Sequence, residues 1–458
     1  MKKEKLDDAM ETQENLDLTK YRDVLANVNL IRAKGRVTKV IGLVTEGKGP
    51  ATKIGSTCYI YPEGKGGRVL AEVLGFREDR VLLMPLEDMN GIGPGSQVVV
   101  KDPKASIGIG DEVLGRVIDG LGNPIDGKGN FKVDKEYPIY TNATNPLLKK
   151  RITKPLDVGI RAINGLLTIG CGQRIGIFSG SGVGKSVLLG MIARNTTADV
   201  NVIALIGERG REVNDFIEKD LGEKGLKRSV VVVATSDNLP LVRMRGAFVA
   251  TAIAEYFCDQ GKDVILMMDS LTRFAMAQRE VGLALGEPPT TKGYTPSVFA
   301  LLPKLLERTG TSPHKGTITG LYTVLVEGDD MSDPIADAAR SILDGHIVLS
   351  RELAMHNHYP AIDILNSVSR IMNNITDRKH REYANRLKEV LAIYRKSVDM
   401  INIGAYVSGS NPRIDYALKM IDRVNGYLKQ NIEEKIGLEA SIKQLEELFL
   451  TKDKATDV

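Results

Sequence analysis

The chain has 458 residues, room for roughly three domains with well-buried cores. Its 62 Lys and Arg against 58 Asp and Glu leave a net charge of only +4, which excludes the strong basic field of a general nucleic-acid binder. Cys58, Cys171 and Cys258 lack metal-ligand spacing, the N-terminus lacks a signal-peptide core, and no run reaches about 18 apolar residues, so a reducing, cytoplasmic setting without a disulfide framework or membrane span is expected.

In chain order, residues 1–30 carry Leu18, Tyr21, Leu25 and Val28 three or four apart, a short amphipathic helix able to dock on the body or on a partner. Over 31–101 the period changes. Short β-rich runs such as Thr57–Tyr61, Val81–Met84 and Gln97–Val100, separated by glycine turns, predict a small β-barrel. Residues 102–154 are dense in glycine and proline and read as a turn-rich connector. Over 155–376 apolar strands at 174–178, 201–206, 229–234, 264–268, 317–325 and 347–349 alternate with helical patterns, which predicts an α/β core with a parallel sheet buried on both faces. From 377 to 458 helical periodicity takes over, with Leu387, Leu391, Tyr394 and Val398 in one segment and Ile442, Leu445, Leu448 and Phe449 in the last, predicting a helical C-terminal domain.

The chemistry centres on the turn from Ser179 to Ser186, Ser-Gly-Ser-Gly-Val-Gly-Lys-Ser, set between an apolar strand and a helical segment. This is a phosphate-binding loop, with Ser179 standing where the pattern usually has its first glycine. Backbone N–H groups of Gly180, Ser181, Gly182, Val183, Gly184, Lys185, Ser186 and Val187 would converge on phosphate oxygens at a helix N-terminus. Lys185 would reach the terminal phosphates, and Ser186 would sit on Mg²⁺. Asp269 closes an apolar strand, the arrangement that sets a second acid beside that metal. Glu208 follows another apolar strand and would emerge at the same sheet edge, where a carboxylate can polarise an attacking water and the adjacent Arg209 can balance developing phosphate charge. Arg273 either approaches the terminal phosphate or forms an ion pair at the sheet edge. The five histidines show no zinc pattern.

Three phrases resemble a known family: Glu208-Arg209, the Asp269-Ser-Leu-Thr-Arg-Phe274 stretch, and Tyr359 through Arg370. They are similar to the catalytic subunit of rotary ATP synthases and its relatives. Longer stretches, Pro155–Thr168, Met268–Glu280 and Gly286–Phe299, resemble the type III export ATPases, and Arg161–Gly165 with Val187–Arg194 resembles their flagellar form. The resemblance spans about residues 30 to 430. It implies a RecA-like core between an N-terminal β-barrel and a C-terminal helical domain, assembled as a homohexamer that hydrolyses ATP with Mg²⁺. It also implies that Arg370 is an arginine finger given in trans to a neighbour's nucleotide, worth on the order of 10³ to 10⁵ in turnover, or roughly 4 to 7 kcal/mol. By the same resemblance Tyr359 packs on adenine, whereas Ala405–Gly409 offers no unambiguous second aromatic wall.

The partners implied are a stator-like regulatory protein at 1–30, a coiled-coil central stalk, membrane proteins of an export gate, and export substrates with their chaperones, at the cytoplasmic face of the membrane. No nucleic acid is expected. The alternatives are a virulence-type secretion ATPase, a synthase catalytic subunit and a hexameric RNA translocase. The last is disfavoured because the barrel run has Tyr59 and Tyr61 but no dense basic-aromatic array, and the chain has no Trp.

Overall fold

The computed structural model describes residues 34–63, 67–313, 316–326, 328 and 330–450. The amphipathic helix expected within 1–30 lies outside these residues. The chain divides into two compact units. The first runs to residue 103 except for 42–44 and 84–87, and the second comprises those two segments and everything from residue 104 onward.

The smaller unit is a closed barrel of six strands: β1 (Lys34–Ile41), β2 (Val44–Lys48), β3 (Thr57–Tyr61), β4 (Val69–Arg77), β5 (Arg80–Pro85) and β6 (Gln97–Asp102). Their order around the barrel is β1-β2-β5-β4-β3-β6, and β6 pairs antiparallel with β1 to close it. Closure removes sheet edges, and alternate residues point inward. Val37, Ile60, Val73, Leu83 and Val98 thereby fill one apolar interior. The Val37–Val44 run, which looks continuous in sequence, is two strands turning at Gly42.

In the larger unit β7 (Ser106–Ile109) pairs with β9 (Lys135–Pro138), and β10 (Pro155–Leu156) pairs with β11 (Ile169–Gly170). The main sheet comprises β8 (Val117–Asp119), β12 (Arg174–Ser179), β13 (Val200–Ile206), β14 (Ser229–Ala234), β15 (Asp263–Asp269), β16 (Gly310–Thr311), β17 (Thr317–Leu325), β18 (Gly345–Leu349) and β19 (Ile362–Ser369). Its order is β19-β18-β12-β17-β15-β13-β14-β8, with β16 beside β17. The strands from β18 to β8 run parallel, while β19 is antiparallel at one edge. Every residue of β13 and β14 is buried, as their unbroken apolar runs require. The connector contributes β8 to the far edge, a strand too short to show a period. The helix Pro240–Asp259 is apolar nearly all round because it is buried nearly all round, packed over β13, β14 and β15.

Beyond Asp377, whose side chain caps the next helix by accepting from the His380 N–H at 2.7 Å, come helices Arg378–Asn402, Pro412–Leu428 and Leu438–Leu450. Their inward residues Leu387, Val424 and Leu445 join the apolar core that Ile175, Ile177 and Leu189 build around the sheet. Among the described residues no helix is long and apolar enough to cross a membrane.

Candidate functional site

Parallel strands deliver their C-terminal ends to one edge of the sheet, and ligands bind there. β12 runs into the glycine loop, β13 is followed by Glu208, β15 ends on Asp269, and β17 ends at Leu325. A cleft of about 900 Å³ opens at this edge, lined by Gly180, Gly182, Lys185, Ser186, Glu208 and Arg273 among others.

The loop takes its shape from glycines. Gly182 and Gly184 sit at φ 77° and 87°, in the left-handed region that L side chains avoid, and Gly184 caps the Lys185–Asn195 helix. The first N–H groups of that helix have no intrahelical acceptor and are free to receive an anion. A Cβ on Gly184 would stand 3.5 Å from the Tyr359 ring, which locates that ring against the loop. The Tyr359 carbonyl accepts the Gln430 N–H at 2.9 Å, so the C-terminal helical region braces it. Tyr406, in the stretch where a second wall was sought, is engaged locally, donating to Asp415 at 2.9 Å and to the Asn411 carbonyl at 3.0 Å.

Lys185 joins the acids. Its ammonium donates to Asp269 and lies 3.7 Å from Glu208. Asp269 is buried and also accepts the Thr323 hydroxyl at 2.7 Å, a contact from β17 that no local pattern announced. Burial, followed by repulsion from Asp269, pushes the Glu208 carboxyl up to about 7 against the opposing pull of Lys185. Its backbone is pinned on both sides, since the Ser236 N–H donates to the Glu208 carbonyl at 3.0 Å and the Gly207 N–H to the Ala234 carbonyl at 2.6 Å. Gly207 has φ 72°, and a Cβ there would come within 2.8 Å of the Arg273 side chain, so glycine lets Arg273 lie over the end of β13.

The other expected residues fall in different places. Arg273 lines the cleft with its Nε buried and without an acceptor among the described residues. Arg209 also lines the cleft, but its side chain is 80 % exposed and lies 3.8 Å from Glu212. Val183 is buried beneath the loop, and Val187 borders the cleft. Arg370 is exposed, follows β19, does not line this cleft, and donates to the Arg340 carbonyl at 3.2 Å. His356 is exposed and His358 buried, and no group of three or more metal-ligating residues is found among the described residues.

The cleft suits a nucleotide with its metal. Ser179 Oγ and Glu208 Oε1 are buried there without hydrogen-bond partners among the described residues, polar atoms that a bound ligand or water would satisfy. Ser186 and Asp269 supply only hard oxygen donors, the type Mg²⁺ takes alongside phosphate oxygens and waters.

Comparison with known proteins identifies the family of the chain that carries this cleft. A model of the ATP synthase alpha/beta family nucleotide-binding domain matches residues 159–369, and that family's beta-barrel domain matches 37–101. A model of the T3SS EscN ATPase C-terminal domain matches 376–447. The flagellum-specific ATP synthase of Bacillus subtilis (strain 168) is 53% identical over 440 residues, covering 96% of this chain and 99% of that protein. The protein of the same name from Salmonella typhimurium (strain LT2) is 49% identical over 446 residues, covering 95% of this chain and 97% of that protein. Among solved structures, the assembled ATPase EscN of the enteropathogenic E. coli type III secretion system superposes with a TM-score of 0.85 at 46% identity, covering 90% of this chain and 99% of that one. EscN in complex with its central stalk EscO gives 0.84 at the same identity, again over 90% and 99%. The chain is an ATPase of the ATP synthase alpha/beta family, and within it belongs with the flagellum-specific ATP synthases and the type III secretion ATPases.

Proposed function

We propose that this chain is the ATP-hydrolysing subunit of a homohexameric ring that drives type III export of flagellar proteins across the cytoplasmic membrane. One observation carries the ring. Arg370, which the family resemblance suggests as an arginine finger, does not line the cleft that contains its own phosphate loop. A finger in that place serves a second copy, and each site is complete only at a subunit interface.

Within the site the loop N–H groups and Lys185 hold the phosphates, and the Tyr359 ring carries the adenine. Lys185 exchanges its carboxylate partners for phosphate oxygens when ATP enters. Ser186 and Asp269 would hold Mg²⁺, which would supply charge neutralisation at the phosphates. Glu208 orients and polarises the attacking water, and a carboxyl that titrates near 7 is suited to taking its proton. Arg273 faces the terminal phosphate from its own subunit. Arg370 of the neighbouring copy offsets charge in the transition state, with exposed Arg209 as an auxiliary cation. EscN is solved with a central stalk, and the same kind of partner is proposed here, reached through the C-terminal helices. Residues 1–30 are assigned to a stator-like regulator, and the ring works at the cytoplasmic face of the membrane with gate proteins, substrates and chaperones.

The test is ATP hydrolysis against protein concentration for wild type, Glu208→Gln and Arg370→Ala. Turnover per subunit is expected to rise steeply with concentration and to collapse in both variants, by on the order of 10³-fold or more for Arg370→Ala. Turnover that is independent of concentration and survives loss of Arg370 would sink the ring mechanism.

A further inference from the structure

We propose that Asp344 is a positioning residue for the arginine finger, an inference that rests on reading Arg370 as that finger. Asp344 lies in the turn between the Pro334–Ile342 helix and β18, and its two halves face different partners. Its carbonyl accepts the Arg370 N–H at 3.0 Å, which fixes the root of the finger. Its carboxylate accepts from Arg174 three times: from the backbone N–H at 3.1 Å, from Nε at 3.0 Å and from Nη2 at 3.1 Å. The Asp344 N–H returns a bond to the Arg174 carbonyl at 2.8 Å.

A second brace runs through Gln173, which is fully buried. Its Nε2 donates to the Asp344 carbonyl at 3.0 Å and to Ser369 Oγ at 3.1 Å, and Ser369 donates in turn to the Thr168 carbonyl at 2.9 Å. Farther out, the Arg370 guanidinium donates to the Arg340 carbonyl, four residues before Asp344. The segment 340–344 therefore holds the finger at its root and at its head, and Arg174 holds the segment.

Arg174 opens β12, and the phosphate loop follows the other end of that strand. Six residues of strand, about 20 Å, thus connect the subunit's own phosphate loop with the finger it offers to a neighbour. A bidentate guanidinium–carboxylate pair fixes direction as well as distance, which a lysine or a neutral amide does not. Misplacing a transition-state group by about 1 Å can cost on the order of 100-fold in rate. The pair accordingly acts on the neighbour's chemistry and leaves binding of the subunit's own nucleotide unchanged.

The experiment uses full-length Asp344→Asn and Arg174→Lys, with ring mass measured under assay conditions. For Asp344→Asn we expect intact rings, an unchanged KM for ATP and a kcat lowered roughly 10- to 100-fold. Arg174→Lys should fall between it and wild type. Adding Asp344→Asn to Arg370→Ala should cost nothing further, since the displaced group is already gone. Mixing Asp344→Asn subunits with Lys185→Ala subunits should restore turnover above either alone, because one supplies a sound phosphate loop and the other a sound finger. Arg370→Ala mixed with Lys185→Ala is the reference. If that reference gains activity and the Asp344→Asn mixture does not, the positioning role is wrong while the finger stands. If the reference itself gains nothing, the finger reading fails and this inference with it. Loss of rings, a raised KM or an unaltered kcat in Asp344→Asn would also overturn it.

Discussion

Replacing Glu208 with Gln should make the nucleotide-free protein more stable while it stops hydrolysis. The wild-type carboxyl is buried beside Asp269, which raises its pKa from an ordinary 4.5 to about 7. Between those values the folded state binds a proton that the unfolded state has released, so folding stability falls as pH rises through this window. Below 4.5 the group is protonated in both states and costs nothing by this route. Above 7 it is ionised in both states and the full penalty is present. A shift of about 2.5 at 1.36 kcal/mol for each unit gives roughly 3 kcal/mol, already net of the attraction to Lys185. Glutamine keeps the shape and carries no charge, so the variant is relieved of this penalty. Urea titrations of ligand-free wild type and Glu208→Gln at pH 8 and pH 4.5 are the assay. The variant should unfold at higher urea at pH 8, by an amount approaching 3 kcal/mol, and the gap should narrow strongly at pH 4.5. Equal midpoints at pH 8, or a gap that does not change with pH, would refute the account of Glu208 as a charge held against its environment. The same titration bears on catalysis, because kcat/KM in wild type should rise with pH through about 7 as the base loses its proton.

Tyr359→Ala removes the ring against Gly184 and should weaken ATP binding by about 1 to 2 kcal/mol, roughly 5- to 30-fold, while Tyr359→Phe stays near wild type; fluorescent-nucleotide titration reads both. Away from the cleft, the wholly buried Arg308 side chain pairs with Glu255 through two contacts of 2.7 Å and donates to the Ile139 carbonyl at 2.6 Å. Arg308→Met should therefore cost about 3 to 5 kcal/mol in thermal unfolding by leaving Glu255 unpaired, and adding Glu255→Leu should recover most of it. An Arg308→Met protein that melts like wild type would show the pair to be dispensable.

The features legible in the chain are those whose cause is local. The glycine loop reads directly because its conformation, its helix N-terminus and its lysine lie within eight consecutive residues, Ser179 to Ser186. β13, β14 and β15 read as strands because burial on both faces leaves an unbroken apolar run. β19 escaped that reading. At the antiparallel edge its residues alternate irregularly between buried and exposed, and Asp363, Asn366 and Ser367 interrupt the apolar pattern. β8 escaped it for another reason, since three residues among glycines and prolines carry no period, and only pairing with β14 makes them a strand.

Local pattern along the chain points to the type of chemistry, through Lys185 and Ser186 at the head of a helix and Glu208 and Asp269 at or just past the ends of apolar strands, and it specifies most of the element types that carry them. Tertiary structure decided how those groups act on one another. That Thr323 supports Asp269, that Asp269 raises the titration of Glu208, that Gln430 braces Tyr359 and that Arg174 anchors the root of Arg370 through Asp344 are contacts between residues from 26 to 170 positions apart. A hydrogen bond or a carboxylate repulsion depends on separations of a few ångström, and the order of strands in the sheet, rather than distance along the chain, sets those separations.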